Sequence, residues 1–132
     1  MSETLLFSND AFYTAFATRD VAAMEKLWDR DAPSTCLHPG WGPLFGYDDI
    51  LASWRELMRN TSAPQIECHA PRALIYGDVG NVVCFEGLPG GYMAAANTFV
   101  RRGAVWKIVH HQAGPTGEKP PISKPAGTMA VN

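Results

Sequence analysis

The 132-residue sequence contains three cysteines, and no two of them form a C-x-x-C pair. Cys36, Cys68 and Cys84 are odd in number and far apart, which counts against both a disulfide framework and a zinc ribbon. Each lies in an apolar, strand-like stretch, where a thiol behaves as a small hydrophobe, and a reducing cytoplasm is the expected compartment. No run of about 18 apolar residues occurs, so no bilayer-spanning helix is expected. The opening Met1-Ser2-Glu3-Thr4 lacks a basic n-region and a following h-region, so no secretory signal is expected. A formal net charge of −2 removes the electrostatic case for nucleic acid or an anionic membrane as partner. The G-x-G-x-x-G, P-loop and G-x-S-x-G patterns are all missing, which leaves nucleotide binding and serine-hydrolase chemistry without footing. The histidines show no H-x-H or H-x-x-x-H spacing, so neither a metal nor a cofactor is expected.

What is present is an apolar fraction of 46%, enough for one packed domain of ordinary size. Leu5, Leu6, Phe12, Ala15 and Phe16 recur at helical spacing and predict a helix over about residues 3–18. Asp20 is a good N-cap for a short second helix through Val21, Met24, Leu27 and Trp28. Ser34 to His38 reads as a short strand, followed by the breaker-rich loop Pro39-Gly40-Trp41-Gly42-Pro43. A third helix covers about 47–60, with Asp48 and Asp49 in its first turn and an apolar stripe of Ile50, Leu51, Trp54, Leu57 and Met58. From Gln65 the period changes to strands, at about 65–76, 80–88, 92–102 and 104–112, joined by hairpin-length turns. The order α-α-β-α-β-β-β-β predicts an α+β domain over residues 1–114, with helices segregated on one face of a curved antiparallel sheet. Residues 115–132, rich in proline, read as an extended or disordered tail.

Val82-Val83-Cys84-Phe85 is apolar on both faces of its strand, although helices can cover only one. A homodimer through the sheet is the expected cover.

Polar groups set among apolar strand residues are the informative ones, because burying them unpaired costs about 1–3 kcal/mol. Asn97, between Ala94-Ala95-Ala96 and Thr98-Phe99-Val100, is either bonded to nearby backbone or aimed at a ligand above small alanines. His38 is either a strand-end histidine bonded to backbone or an acid or base near neutrality. His110 and His111 are adjacent, so a regular strand sends them to opposite faces. Parity alone leaves the choice open; Lys107, on the same side as His111, favours His110 as the inward residue. Glu86, close to a hairpin, reads first as a solvated edge charge.

Phe12-Tyr13-Thr14-Ala15-Phe16-Ala17-Thr18-Arg19-Asp20, Leu27-Trp28, Asp31-Ala32, His38-Pro39-Gly40-Trp41, Gly46-Tyr47-Asp48-Asp49-Ile50 and Trp106-Lys107-Ile108-Val109-His110-His111 follow one another at a telling spacing. Together they resemble ketosteroid isomerase-like and polyketide cyclase (SnoaL-like) proteins of the nuclear transport factor 2-like superfamily, over about residues 5–113. The resemblance implies a cone-shaped, cystatin-like fold with one internal pocket, and a choice among isomerase, cyclase, dehydratase and non-catalytic roles. It implies His38 at the position of the base aspartate, Asn97 at the position of the protonated aspartate, and Phe12 at the oxyanion tyrosine, with Tyr13 one residue away.

The candidate catalytic residues are therefore His38, Asn97 and His110, with Asn97 as the donor that orients a carbonyl oxygen. The candidate pocket lining is Phe12, Tyr13, Trp41, Trp54, Glu86 and Phe99. The expected occupant is a small apolar or amphipathic organic ligand. The expected activity is a cofactor-independent acid/base reaction on a small carbonyl compound, the alternative being a non-catalytic binding or dimeric accessory protein.

Overall fold

A computed structural model describes residues 1–121; most of the proline-rich tail, from residue 122 on, lies outside the described residues. Helix α1 (Ser2–Ala17) leads into α2 (Val21–Leu27), then strands β1 (Thr35–Leu37) and β2 (Leu44–Phe45). Helix α3 (Tyr47–Arg59) is followed by the long strands β3 (Glu67–Tyr76), β4 (Val79–Leu88), β5 (Gly91–Arg102) and β6 (Val105–Thr116). The three helices and the strand meander are those expected from the apolar periodicity. Among the described residues, no helix is long and apolar enough to cross a membrane.

The six strands form one sheet in the order β2-β1-β6-β5-β4-β3. Two features depart from the expected antiparallel sheet. Strand β2, two residues long, extends the edge just after the glycine- and proline-rich loop, and β1 runs parallel to β6, with Cys36 opposite His111. Strand β6 also continues through Pro115 and Thr116, which pair with Met93 and Tyr92. The proposed tail boundary at residue 115 thus falls two residues inside the strand. Because β1 reaches only Gln112, the N–H that Pro115 lacks falls where β6 has β5 alone as neighbour.

The joints are polar and specific. Asp20 caps α2 by accepting from the Ala23 N–H at 3.0 Å. Arg19, left-handed at φ 56, donates to the Met58 and Asn60 carbonyls at the end of α3. Arg102 grips Asp29 with two hydrogen bonds of 2.8 and 3.0 Å, tying the turn after α2 to the end of β5. That grip, aided by the Ala32 and Asp31 N–H groups, holds the buried Asp29 carboxyl down at about 2.

On β4 the alternation is regular: Gly80, Val82, Cys84 and Glu86 face the helices, while Val79 and Val83 face out. At Gly80 a side chain would have no room, since a Cβ there would stand 2.6 Å from Leu5 Cδ2 and 3.3 Å from Trp106 Cζ3. Leu5 is itself fully buried, so it cannot swing aside freely. Gly80→Ala should therefore destabilise the domain by about 1–3 kcal/mol in urea denaturation. Unchanged stability would contradict this close approach of α1 to β4.

Candidate functional site

The helix period builds the first wall. Asn9, Phe12, Tyr13 and Phe16 follow at i, i+3, i+4 and i+7, so α1 presents all four to the sheet. On α3 the same spacing brings Ser53, Trp54 and Leu57 to the inner side. Between these helices and the sheet lies a cavity of about 290 Å³, lined mostly by aromatic and aliphatic side chains from Phe12 and Phe16 to Leu88 and Met93. Its titratable lining residues are Tyr13, His38, Glu86 and His111.

Glu86 is a correction to the sequence reading: it is 2% exposed, not a solvated edge charge. Its position on the inward parity of β4 sends it under α1, where Tyr13 donates to Oε2 at 2.7 Å. Burial raises the Glu86 carboxyl above its usual range, against the smaller opposing pull of the Tyr13 hydroxyl. Burial likewise pushes the Tyr13 phenol up, and neighbouring Glu86 adds to it, so Tyr13 stays a proton donor.

Asn97 is also corrected. Fully buried, it is not part of the cavity lining and has no hydrogen left for a ligand. Its Nδ2 donates to Asn9 Oδ1 at 2.9 Å and to the Tyr13 hydroxyl at 3.1 Å. These two acceptors fix the amide, so Oδ1 faces His111 Nδ1 at 2.6 Å. His111 must then carry its proton on Nδ1, which leaves Nε2 as a bare acceptor. The result is a directed chain in which His111 donates to Asn97, Asn97 to Tyr13, and Tyr13 to Glu86.

The inward histidine is His111, not His110. Trp106 and Ile108 do point in, as the parity argument requires. The pairing of β5 with β6 then slips: Phe99 opposes Ile108, but Thr98 opposes His110. One extra residue, Val109, is inserted there, and the bulge reverses the parity of everything after it. His110 consequently faces out, with Nδ1 2.6 Å from Thr35 Oγ1 and Nε2 3.3 Å from Gln112 Oε1. Phe99 is also corrected: it points inward on β5 opposite Gly80, but in the core and outside the cavity lining.

His38 lines the cavity among aromatic side chains. His38 is buried between Trp41 and Trp54, with ring centroids 4.8 and 4.6 Å away. Its Nε2 lies 2.8 Å from Ser53 Oγ, whose single hydrogen already goes to the Ile50 carbonyl at 2.6 Å. His38 therefore donates from Nε2 and keeps a bare Nδ1, whose nearest hydrogen-bonding neighbour is Cys36 Sγ at 4.0 Å. Burial lowers His38 to about 4 and His111 to about 3, so both are neutral at physiological pH. Phe12, Tyr13, Trp41 and Trp54 all line the cavity. Tyr13, rather than Phe12, puts a hydroxyl into the network.

Residues 7–116 match the family described as the SnoaL-like domain. The chain belongs to that family. Its fold is shared with a candidate dehydratase of the NTF2-like family from Streptomyces avermitilis, at a TM-score of 0.80 and 28% identity, covering 89% of this chain and 97% of the other. It is also similar to a candidate calcium/calmodulin-dependent protein kinase type II association domain from Thiobacillus denitrificans, at a TM-score of 0.75 and 28% identity, over 83% and 92% of the two chains. An F-box protein of Arabidopsis thaliana, SKIP8, is 26% identical over 115 residues, 85% of this chain. The match covers 49% of that plant relative's length, so this chain spans about half of it.

Two members of the polar network escaped the sequence reading, Asn9 and Ser53. Each is a polar residue inside an apolar helical stripe, and that placement was the available signal.

The buried groups give the domain a distinctive acid response. Between the ordinary histidine value of 6.5 and the native values near 4 and 3, the unfolded chain binds protons that the native state refuses. Stability therefore rises with pH across that window and is lost on acidification, by about 1.4 kcal/mol per pH unit for each histidine. Glu86 works the other way: its raised native value makes protonation stabilising and leaves it a cost at higher pH. Chemical denaturation from pH 7.5 to 5 should show a falling stability that His38→Phe flattens and Glu86→Gln steepens. A stability that does not fall with pH would contradict the buried neutral histidines.

Proposed function

We propose that this SnoaL-like domain is a cofactor-independent acid/base enzyme of the isomerase or lyase type, acting on a small, largely apolar organic molecule. The observation that carries this reading is the convergence of Glu86, His38 and His111 on one apolar cavity, two of them with a bare nitrogen. Glu86 is the group that moves the proton. Burial shifts its carboxyl toward neutrality, where general acid/base catalysis is most efficient. His38 and His111 accept hydrogen bonds from the substrate and hold it, rather than serving as strong bases. The expectation that Asn97 orients a carbonyl oxygen is not carried forward, because its amide hydrogens are already engaged. The candidate dehydratase from S. avermitilis supports a reaction of this proton-moving kind.

The test is a screen by proton NMR for water loss or proton exchange on small apolar alcohols and ketones. For any substrate found, Glu86→Gln should lower kcat by about 10²–10⁴-fold while KM changes far less. An unchanged kcat would contradict the assignment of Glu86, and binding without turnover across the screen would favour a carrier.

A second property is proposed for the opposite side of the sheet. Leu74, Tyr76, Val79 and Val83 lie together on β3 and β4 facing away from the helices, each at least 40% exposed. The likeness to an association domain supports self-assembly, and we assign this face to a homodimer contact. Wild-type protein should elute as a dimer with light-scattering detection, and Val83→Lys should shift it toward monomer. A monomeric wild type at tens of micromolar would contradict the assignment.

A further inference from the structure

We propose that the cavity is built to receive a hydrogen-bond donor, so that its occupant is a small apolar alcohol rather than a carbonyl compound. The inference rests on the reading of the cavity as the ligand site and specifies what that site selects.

The argument is an inventory of hydrogens. A carbonyl oxygen needs a donor, and with Glu86 ionised the side-chain donors inside this cavity are already engaged. The Tyr13 hydroxyl gives its hydrogen to Glu86, and both Asn97 amide hydrogens go to Asn9 and Tyr13. Ser53 gives its hydrogen to the Ile50 carbonyl. The Ala63 N–H goes to the Asn60 carbonyl, and the Trp41 N–H to the His38 carbonyl. Pro39 and Pro64, both in the lining, have no N–H to offer. Trp54 Nε1 has no partner, but it is sealed inside the protein where a water-sized contact does not reach it. Among the described residues, the Trp41 indole is left as the one side-chain donor at the exposed rim.

The acceptors are the reverse case. Ser53 forces the His38 proton onto Nε2, and Asn97 forces the His111 proton onto Nδ1. Each ring therefore keeps one bare nitrogen, and the two ring centres are 6.3 Å apart in the cavity wall. Glu86 uses Oε2 for Tyr13, while Oε1 has no partner among the described residues. An alcohol supplies the missing hydrogen to any of these acceptors while its carbon body meets Phe12, Phe16, Trp54 and Leu57. A ketone of the same shape meets lone pairs with lone pairs and loses its own hydration without return. An ammonium ion would also satisfy the acceptors, but in an apolar cavity only Glu86 opposes its charge.

The test uses one carbon skeleton with different polar groups: 2-indanol, 2-indanone, 2-aminoindane and indane, titrated into the full chain at pH 7.5 by ligand-observed NMR. The expected result is at least about 10-fold tighter binding of 2-indanol than of 2-indanone. Ser53→Ala, which frees His38 to move its proton to Nδ1, should shrink that ratio severalfold and leave indane unchanged. Equal binding of alcohol and ketone, or a preference for the ketone, overturns the donor assignment while the cavity reading stands. Tighter binding of 2-aminoindane than of 2-indanol overturns the choice of an alcohol. Failure of all four to bind overturns both this inference and the cavity reading.

Discussion

Asn97 sits fully out of solvent in the middle of the sheet, and an amide in such a place must satisfy both its ends or cost the domain about 1–3 kcal/mol for each group left unpaired. Its two hydrogens go to α1, through Asn9 and Tyr13, and its oxygen goes to β6, through His111. That arrangement gives the surrounding hydrogen bonds a direction. His111 is held in one tautomer, Tyr13 is left to donate to Glu86, and the buried carboxyl receives the one strong partner that offsets part of its desolvation. Replacing Asn97 with a residue lacking its amide hydrogens would leave Asn9 Oδ1 short of a donor, and one lacking its oxygen would leave the His111 Nδ1–H without its acceptor, so this side chain couples fold to site.

The same contacts explain why an open six-stranded sheet with three helices holds a cavity instead of closing on itself. Phe12 and Trp54 pack edge to face at 5.3 Å, and His38 lies against Trp54, so rigid rings prop the helices away from the strands. Membership of the SnoaL-like family accounts for this architecture. Likeness of fold carries the architecture, and the activity has to come from the side chains in place.

Much of the architecture was legible in the sequence because hydrophobic period and turn residues report on it directly. Asp20 marked the second helix, and the switch at Gln65 marked the meander. The parallel pairing of β1 with β6 was not legible, since a three-residue strand has no signature of its partner. The site was legible in residue type and less so in orientation. His38, Trp41 and Trp54 fall where the spacing puts them, but His110 and His111 were assigned by alternation along a strand that contains a bulge at Val109. Nothing in Lys107-Ile108-Val109 announces an inserted residue, because the bulge is set by the fit of β6 against β5. Glu86 misled for another reason: a carboxylate near a hairpin is ordinarily solvated, and only the approach of Tyr13 from α1 makes its burial tolerable. The resemblance puts Phe12 at the tyrosine position, and Tyr13, one residue further on, is the side chain whose hydroxyl reaches Glu86.

The most direct test of this account is the protonation of the two inward imidazoles, read by nitrogen-15 NMR of histidine-labelled protein at pH 7.5. The expected spectrum shows both rings neutral, His111 protonated on Nδ1 and His38 protonated on Nε2. A charged ring, or the opposite tautomer at His111, would contradict the directed chain from His111 through Asn97 and Tyr13 to Glu86 on which the site depends.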